Sequence, residues 1–232
     1  MRGSAAAGEG ANVDVDGDGR VTTADAIAVL LPVMDALACA HDRGIVHRDL
    51  KPENIFLAEV QGQTVPKLLD FGIAKVAAEG GLTQTGMAIG TPVYMSPEQV
   101  KGSSELGPPS DVWSMAIVVY EALSGRRPFD ATSMGALAIQ LHTEPPAPLA
   151  EVAPSLPRTL TEAVHAALVL DPAARPNMRA FAASLAAFTN VSLPAAAARP
   201  ADEFGTGPTE LGQPSPSSTP AVPTCPLYTS PR

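Results

Sequence analysis

The segment from Asp111 to Ser124 most constrains how this chain can fold. It predicts a helix with Ser110 as its cap and Gly125 as its stop. Val112, Trp113, Met115, Ile117, Val118, Val119 and Leu123 cover nearly every face of that helix. A helix with no polar face must be buried, so other elements have to pack around it. A second helix is predicted from Thr23, with Thr22 or Thr23 as N-cap and Gly44 as terminator. Its apolar positions, Ile27, Leu30, Leu31, Met34, Leu37, Ala38 and His41, recur at three- and four-residue spacing and form one face. Pro32 falls inside this pattern, removes one backbone hydrogen bond at a cost of up to ~3 kcal/mol, and predicts a kink. Further helices are predicted near 132–142, 158–170 and 177–189.

Between the two strong helices, short apolar runs alternate with turns. Ile45-Val46, Ile55-Phe56-Leu57, Lys67-Leu68-Leu69 and Ile73-Ala74 suit short strands that leave chemical residues on their connecting loops. From Asn190 onward nine prolines occur in 43 residues, among serine, threonine, alanine and glycine. Such a tail buries too little apolar surface to offset its ordering entropy and is expected to be disordered. The division expected is a flexible acidic segment over 1–21, a folded unit over 22–189 and a disordered tail over 190–232. The fold class is α+β and mainly helical, with a few short strands.

Composition excludes some functions. A net charge of −9 gives no basic face with which to displace counterions from nucleic acid. Cys39, on a helix, and Cys225, in the Pro-rich tail, do not make a disulfide framework. No run approaches the ~18 consecutive apolar residues of a membrane span, and Met1-Arg2-Gly3-Ser4-Ala5 lacks the apolar core of a secretory signal. The expected location is the cytoplasm.

Three linked motifs carry the chemistry. His47-Arg48-Asp49-Leu50-Lys51-Pro52-Glu53-Asn54 is followed by Asp70-Phe71-Gly72 and then by Ser96-Pro97-Glu98. Asp49 stands five residues before Asn54 and 21 before Asp70. One aspartate alone is usually a turn residue or a helix cap. The ordered set resembles the catalytic half of the bacterial eukaryotic-like (Hanks-type) Ser/Thr protein kinases, over roughly residues 22 to 189.

That resemblance implies the helical C-terminal lobe of a kinase, using ATP and Mg²⁺ to phosphorylate protein Ser/Thr hydroxyls. It implies that Asp49 accepts the substrate proton and that Asn54 and Asp70 hold Mg²⁺. Lys51 would contact the γ-phosphate and mark the Ser/Thr class; Glu53 and Phe56 would lie on the nucleotide side, Phe56 as part of the floor under adenine. Arg48 would grip a phosphorylated activation loop, with Thr83 and Thr85 as candidate phosphosites. Thr91 would line the substrate hydroxyl pocket. Glu98 and Arg175 would form a buried ion pair, and Asp111 would hydrogen-bond the catalytic-loop backbone.

An upper kinase lobe needs at least ~65 residues, whereas 21 precede the first helix here. No G-x-G-x-x-G loop or V-A-I-K lysine is present. The expectation is a lower lobe whose upper lobe is missing, through a late start or a truncated gene, with apolar surface exposed on its upper face and available for self-association. Two alternatives stand beside it. One is a kinase-like interaction or scaffold protein without catalysis. The other is a calcium-binding module, because Asp14, Asp16 and Asp18 with Gly19 and Asp25 fit much of a calcium loop.

Overall fold

The computed structural model describes residues 22–60, 63–70 and 92–189. The predicted strand at Ile73-Ala74, the tail after Thr189, Cys225 and the loop aspartates 14, 16 and 18 lie outside the described residues.

Helix α1 spans Thr23–His41 and runs unbroken through Pro32. Thr22 is its N-cap: the Thr22 hydroxyl accepts the Asp25 N–H, and the Asp25 carboxylate accepts the Thr22 N–H at 2.8 Å. Two of the helix's orphan donors are thereby satisfied reciprocally. The twelfth residue of the calcium-like loop is therefore buried and committed to a capping box. By length and mean hydropathy, 1.7, α1 could cross a membrane. Its Ile27, Leu31, Val33, Met34 and Leu37 are instead sealed in the core, packed on the last helix and on the central one.

The chain then enters an irregular loop at 45–51. Among the described residues no strand pairs with Ile45-Val46, and the chain has no regular structure there. One 3₁₀ turn over Pro52–Asn54 leads into β1 (Ile55–Val60), paired antiparallel with β2 (Gln63–Leu68) from Ile55↔Leu68 to Val60↔Gln63. The hairpin packs on α1 through β2.

After a 3₁₀ turn at Pro92–Tyr94 comes the short α2 (Pro97–Val100), capped by Ser96. The central α3 spans Pro108–Ser124, three residues longer at its start than the sequence predicts. Pro108 occupies the first turn, where its missing N–H costs nothing, and Gly107 is the cap. Ser110 is therefore inside the helix, not its cap. Every residue from Ser110 to Tyr120 is buried, as an all-apolar helix requires. Gly125 closes α3 in the left-handed conformation, with its N–H on the Glu121 carbonyl.

The remaining helices, α4 (Met134–Thr143), α5 (Leu149–Val152), α6 (Arg158–Ala167) and α7 (Met178–Ala186), complete a helical body; α6 and α7 pack on α3 and on each other.

His165 on α6 accepts the Leu149 N–H through Nε2 at 2.9 Å and meets Tyr120 edge-on. Burial holds its imidazole below the ordinary 6.5. The unfolded chain therefore binds this proton first as pH falls. The contribution of neutral His165 to stability is complete above about pH 6.5 and is lost as pH drops toward the depressed folded value. In urea unfolding between pH 7.5 and 5.5, the wild type should lose midpoint faster than His165→Gln. Parallel slopes in the two proteins would remove His165 as the cause.

Candidate active site

The loop carrying His47, Arg48 and Asp49 has little regular structure, so side chains from distant elements hold it. Asp111, 1 % exposed on α3, accepts the His47 N–H at 2.8 Å with Oδ2 and the Arg48 N–H at 2.9 Å with Oδ1. A third group, His41 Nε2 at the end of α1, reaches the same Oδ2 at 2.8 Å. One buried carboxylate thus ties two backbone amides and one imidazole together.

His47 is itself fully buried. Its Nδ1 accepts the Asp49 N–H at 3.3 Å, and its Nε2 faces the Leu69 carbonyl at 3.0 Å as a donor. Leu69 also donates its N–H to the Asn54 carbonyl at 2.8 Å. Both backbone groups of Leu69 are therefore held by the 47–54 loop, which fixes where the next residue, Asp70, begins. Asp70 has φ +49 and is exposed.

Asn54 Nδ2 donates to the Asp49 carbonyl at 2.7 Å. With its amide nitrogen committed, Asn54 has Oδ1 left as the acceptor for a cation. Lys51 Nζ lies 3.4 Å from Asp49 Oδ2, both side chains about a quarter exposed and so accessible to a substrate. Phe56, 54 % exposed on β1, has an open face, as do Ile45, Val60 and Leu69. No group of three or more His, Cys, Asp or Glu able to hold a metal occurs among the described residues.

Below the loop, the segment around α2 is riveted to α3. The Tyr94 hydroxyl donates to Glu121 at 2.6 Å, and burial together with that carboxylate pushes the phenol well above its usual range. Ser114 Oγ donates to the Tyr94 carbonyl at 2.7 Å. Glu98 receives two hydrogen bonds from the buried Arg175 guanidinium, at 2.8 and 2.9 Å, and one from Ser110 Oγ at 2.7 Å. Burial raises the Glu98 carboxyl, but the Arg175 and Ser110 bonds outweigh it and hold the group below its ordinary value. Arg175 spends its other donors on the carbonyls of Val169, Pro109 and Leu170, and its plane lies 5.0 Å over the Trp113 ring. Trp113 in turn stacks on Phe129.

The structure brings together Arg48, Asp49, Lys51, Asn54 and Asp70 on one frame, and Glu98 with Arg175 on another. Phe71, Gly72, Thr83, Thr85 and Thr91 lie outside the described residues. Sequence reasoning missed three holders of the loop: His41, read as part of an apolar face; His47, whose ring bonds depend on Leu69; and Gln99, whose Nε2 donates to the Arg48 carbonyl at 2.7 Å. All three act across long sequence separations; His47 stands in the motif but its bond to Leu69 does not show there, and no local pattern marks the other two.

The sequence matches the protein kinase domain family over residues 7–185. It is 42 % identical over 168 residues to the serine/threonine-protein kinase PknA of Mycobacterium tuberculosis, covering 72 % of this chain and 37 % of that protein. It is also 42 % identical over 166 residues to serine/threonine-protein kinase Pkn1 of Myxococcus xanthus, covering 71 % of this chain and 23 % of that one. PknL of M. tuberculosis is 42 % identical over 150 residues, 64 % of this chain and 36 % of PknL. The chain thus spans little more than a third, at most, of these curated relatives. The motif order, the frame around Asp49 and the match over most of its length place this chain in the protein kinase family, in its bacterial Ser/Thr branch.

Proposed function

We propose that this chain carries the phosphoryl-transfer half of a Ser/Thr protein kinase, acting on protein serine and threonine hydroxyls with Mg·ATP. The observation that carries the reading is the shared frame of Asp49, Asn54 and Asp70: Asn54 grips the Asp49 carbonyl, and Leu69 is held from both sides. Phosphoryl transfer asks the protein for positioning and charge neutralisation more than for covalent chemistry. When bound, Mg·ATP supplies the phosphoryl group and spreads its developing charge.

The donors present fit such a cation. Mg²⁺ takes one or two protein oxygens and completes its shell with phosphates and water, and Asn54 Oδ1 with the Asp70 carboxylate offers two hard oxygens. Asp49 orients the incoming hydroxyl and takes its proton as the new O–P bond forms and the bond to the departing ADP oxygen breaks. Lys51, beside Asp49, meets the γ-phosphate, and the open face of Phe56 receives adenine with Glu53 nearby. In this reading Thr91 lines the hydroxyl pocket, and phosphate on Thr83 or Thr85 pairs with Arg48.

A second reading draws on the exposed Ile45, Phe56, Val60 and Leu69, which favour an association surface, for a second copy or a partner, without transfer.

The test is transfer of labelled γ-phosphate from Mg·ATP to the chain and to a generic protein substrate, beside Asp49→Asn. The wild type should incorporate label, and the variant should lose about two to four orders of magnitude. Label that survives the substitution removes Asp49 as the base. A folded wild type with no incorporation favours the association reading.

A further inference from the structure

We infer that Gln99 is a positioning residue for the proposed base: it ties the short helix that the Ser-Pro-Glu motif opens to the peptide that bears Asp49. The inference rests on the reading of Asp49 above and adds a side chain that the motifs do not include.

The argument starts from Arg48. Its φ of +65 is unfavourable for a residue with a Cβ, by about 1–2 kcal/mol. Such a conformation persists only where its surroundings over-determine it. Here the peptides on both sides of the Arg48 Cα are fastened. On the near side, the Arg48 N–H goes to Asp111 Oδ1. On the far side, the carbonyl accepts from Gln99 Nε2 at 2.7 Å, and the Asp49 N–H of the same peptide donates to His47 Nδ1. Gln99 therefore holds the peptide whose orientation sets where the Asp49 side chain starts.

The Gln99 amide serves two masters with opposite needs. Its Oε1 accepts the Ser96 N–H at 3.0 Å and the Ser96 hydroxyl at 3.2 Å, closing the capping box of α2, while its Nε2 serves Arg48. A flipped amide would face donor with donor and acceptor with acceptor, so the two bonds fix the orientation together. Gln99 is also the neighbour of Glu98, which the buried Arg175 pins. A shift of α2 is thus passed to the peptide before the base through one hydrogen bond, without any contact to the Asp49 carboxylate.

The dual use supplies a clean test in the full chain. Gln99→Glu keeps the oxygen that caps α2 and removes the donor to Arg48. Ser96→Ala weakens the cap and leaves the donor. In Gln99→Glu, hydrogen exchange at the Asp49 amide should quicken by about tenfold, as for loss of one hydrogen bond, with exchange in α3 unchanged. Its kcat should fall about tenfold to a hundredfold while the KM for ATP stays within about twofold. Ser96→Ala should lower the melting temperature yet leave Asp49 exchange at the wild-type rate. Unchanged Asp49 exchange in Gln99→Glu, or faster exchange in both variants alike, overturns the inference. The exchange result stands even if the wild type transfers no phosphate, an outcome that would count against the proposed activity alone.

Discussion

Replacing Arg175 with methionine should cost about 3–5 kcal/mol of unfolding free energy, read as a loss of urea midpoint by circular dichroism. The substitution keeps the apolar stem over Trp113 and deletes the fork. Glu98 is then a half-buried carboxylate left with the Ser110 hydroxyl, and the carbonyls of Val169, Pro109 and Leu170 lose their shared donor. Lysine should not restore the loss, because an ammonium cannot reproduce five donors in one plane. The double variant Glu98→Gln, Arg175→Met should be less damaged than the sum of the singles, since no charge is then stranded. The pH response gives an independent check. In the wild type the ion pair contributes fully above the ordinary Glu value of 4.5, and the contribution is lost as pH falls through the lowered folded value. In Arg175→Met that loss on acidification should vanish. A penalty under about 1 kcal/mol would mean the pair is no more than a surface contact.

Asp111→Asn should be nearly as damaging, at about 3 kcal/mol, though the change is isosteric. The carboxylate accepts on both oxygens, and an amide can accept on only one. Whichever way it turns, an NH₂ group faces the Arg48 N–H or the pair formed by the His47 N–H and His41. The preferred turn gives up Arg48, whose positive φ then has one fastening fewer. Transfer should therefore fall together with stability. Asp49→Asn should behave differently, losing transfer while unfolding almost as the wild type does, because its side-chain pair with Lys51 is partly exposed and worth little. If Asp111→Asn matched the wild type in urea, the buried carboxylate would not be what holds the loop.

The contrast between Thr22 and Ser110 shows what was legible in the sequence. The sequence offers Thr22 or Thr23 as the cap, and Thr22 is the one used, because its partner, Asp25, is three residues away and the pattern is local. Ser110 looks equally suited, but Pro108 starts the helix earlier, and the Ser110 hydroxyl is drawn to Glu98 twelve residues back. Ile45-Val46 has the composition of a strand, but strands exist by pairing, and among the described residues no strand lies beside it. The reacting residues were legible because their spacing along one loop is chemistry in itself. Of their supports, Asp111 came with the family resemblance, but His41 and Gln99 did not. His41 and Asp111 stand 70 positions apart, Gln99 and Arg48 stand 51 apart, and such bonds become visible only when the chain is folded.

Trp113 is the chain's only tryptophan, and it lies wholly buried between the Arg175 guanidinium and Phe129, with its Nε1 lacking a hydrogen-bond partner among the described residues. Indole emission follows local polarity and nearby charge, so this one ring is a spectroscopic gauge built into the lobe. Its light should respond to the Arg175 end of the Glu98–Arg175 staple, whose guanidinium lies 5.0 Å from the ring. A red shift that precedes loss of helical signal would time the opening of the staple separately from the melting of the helices around it.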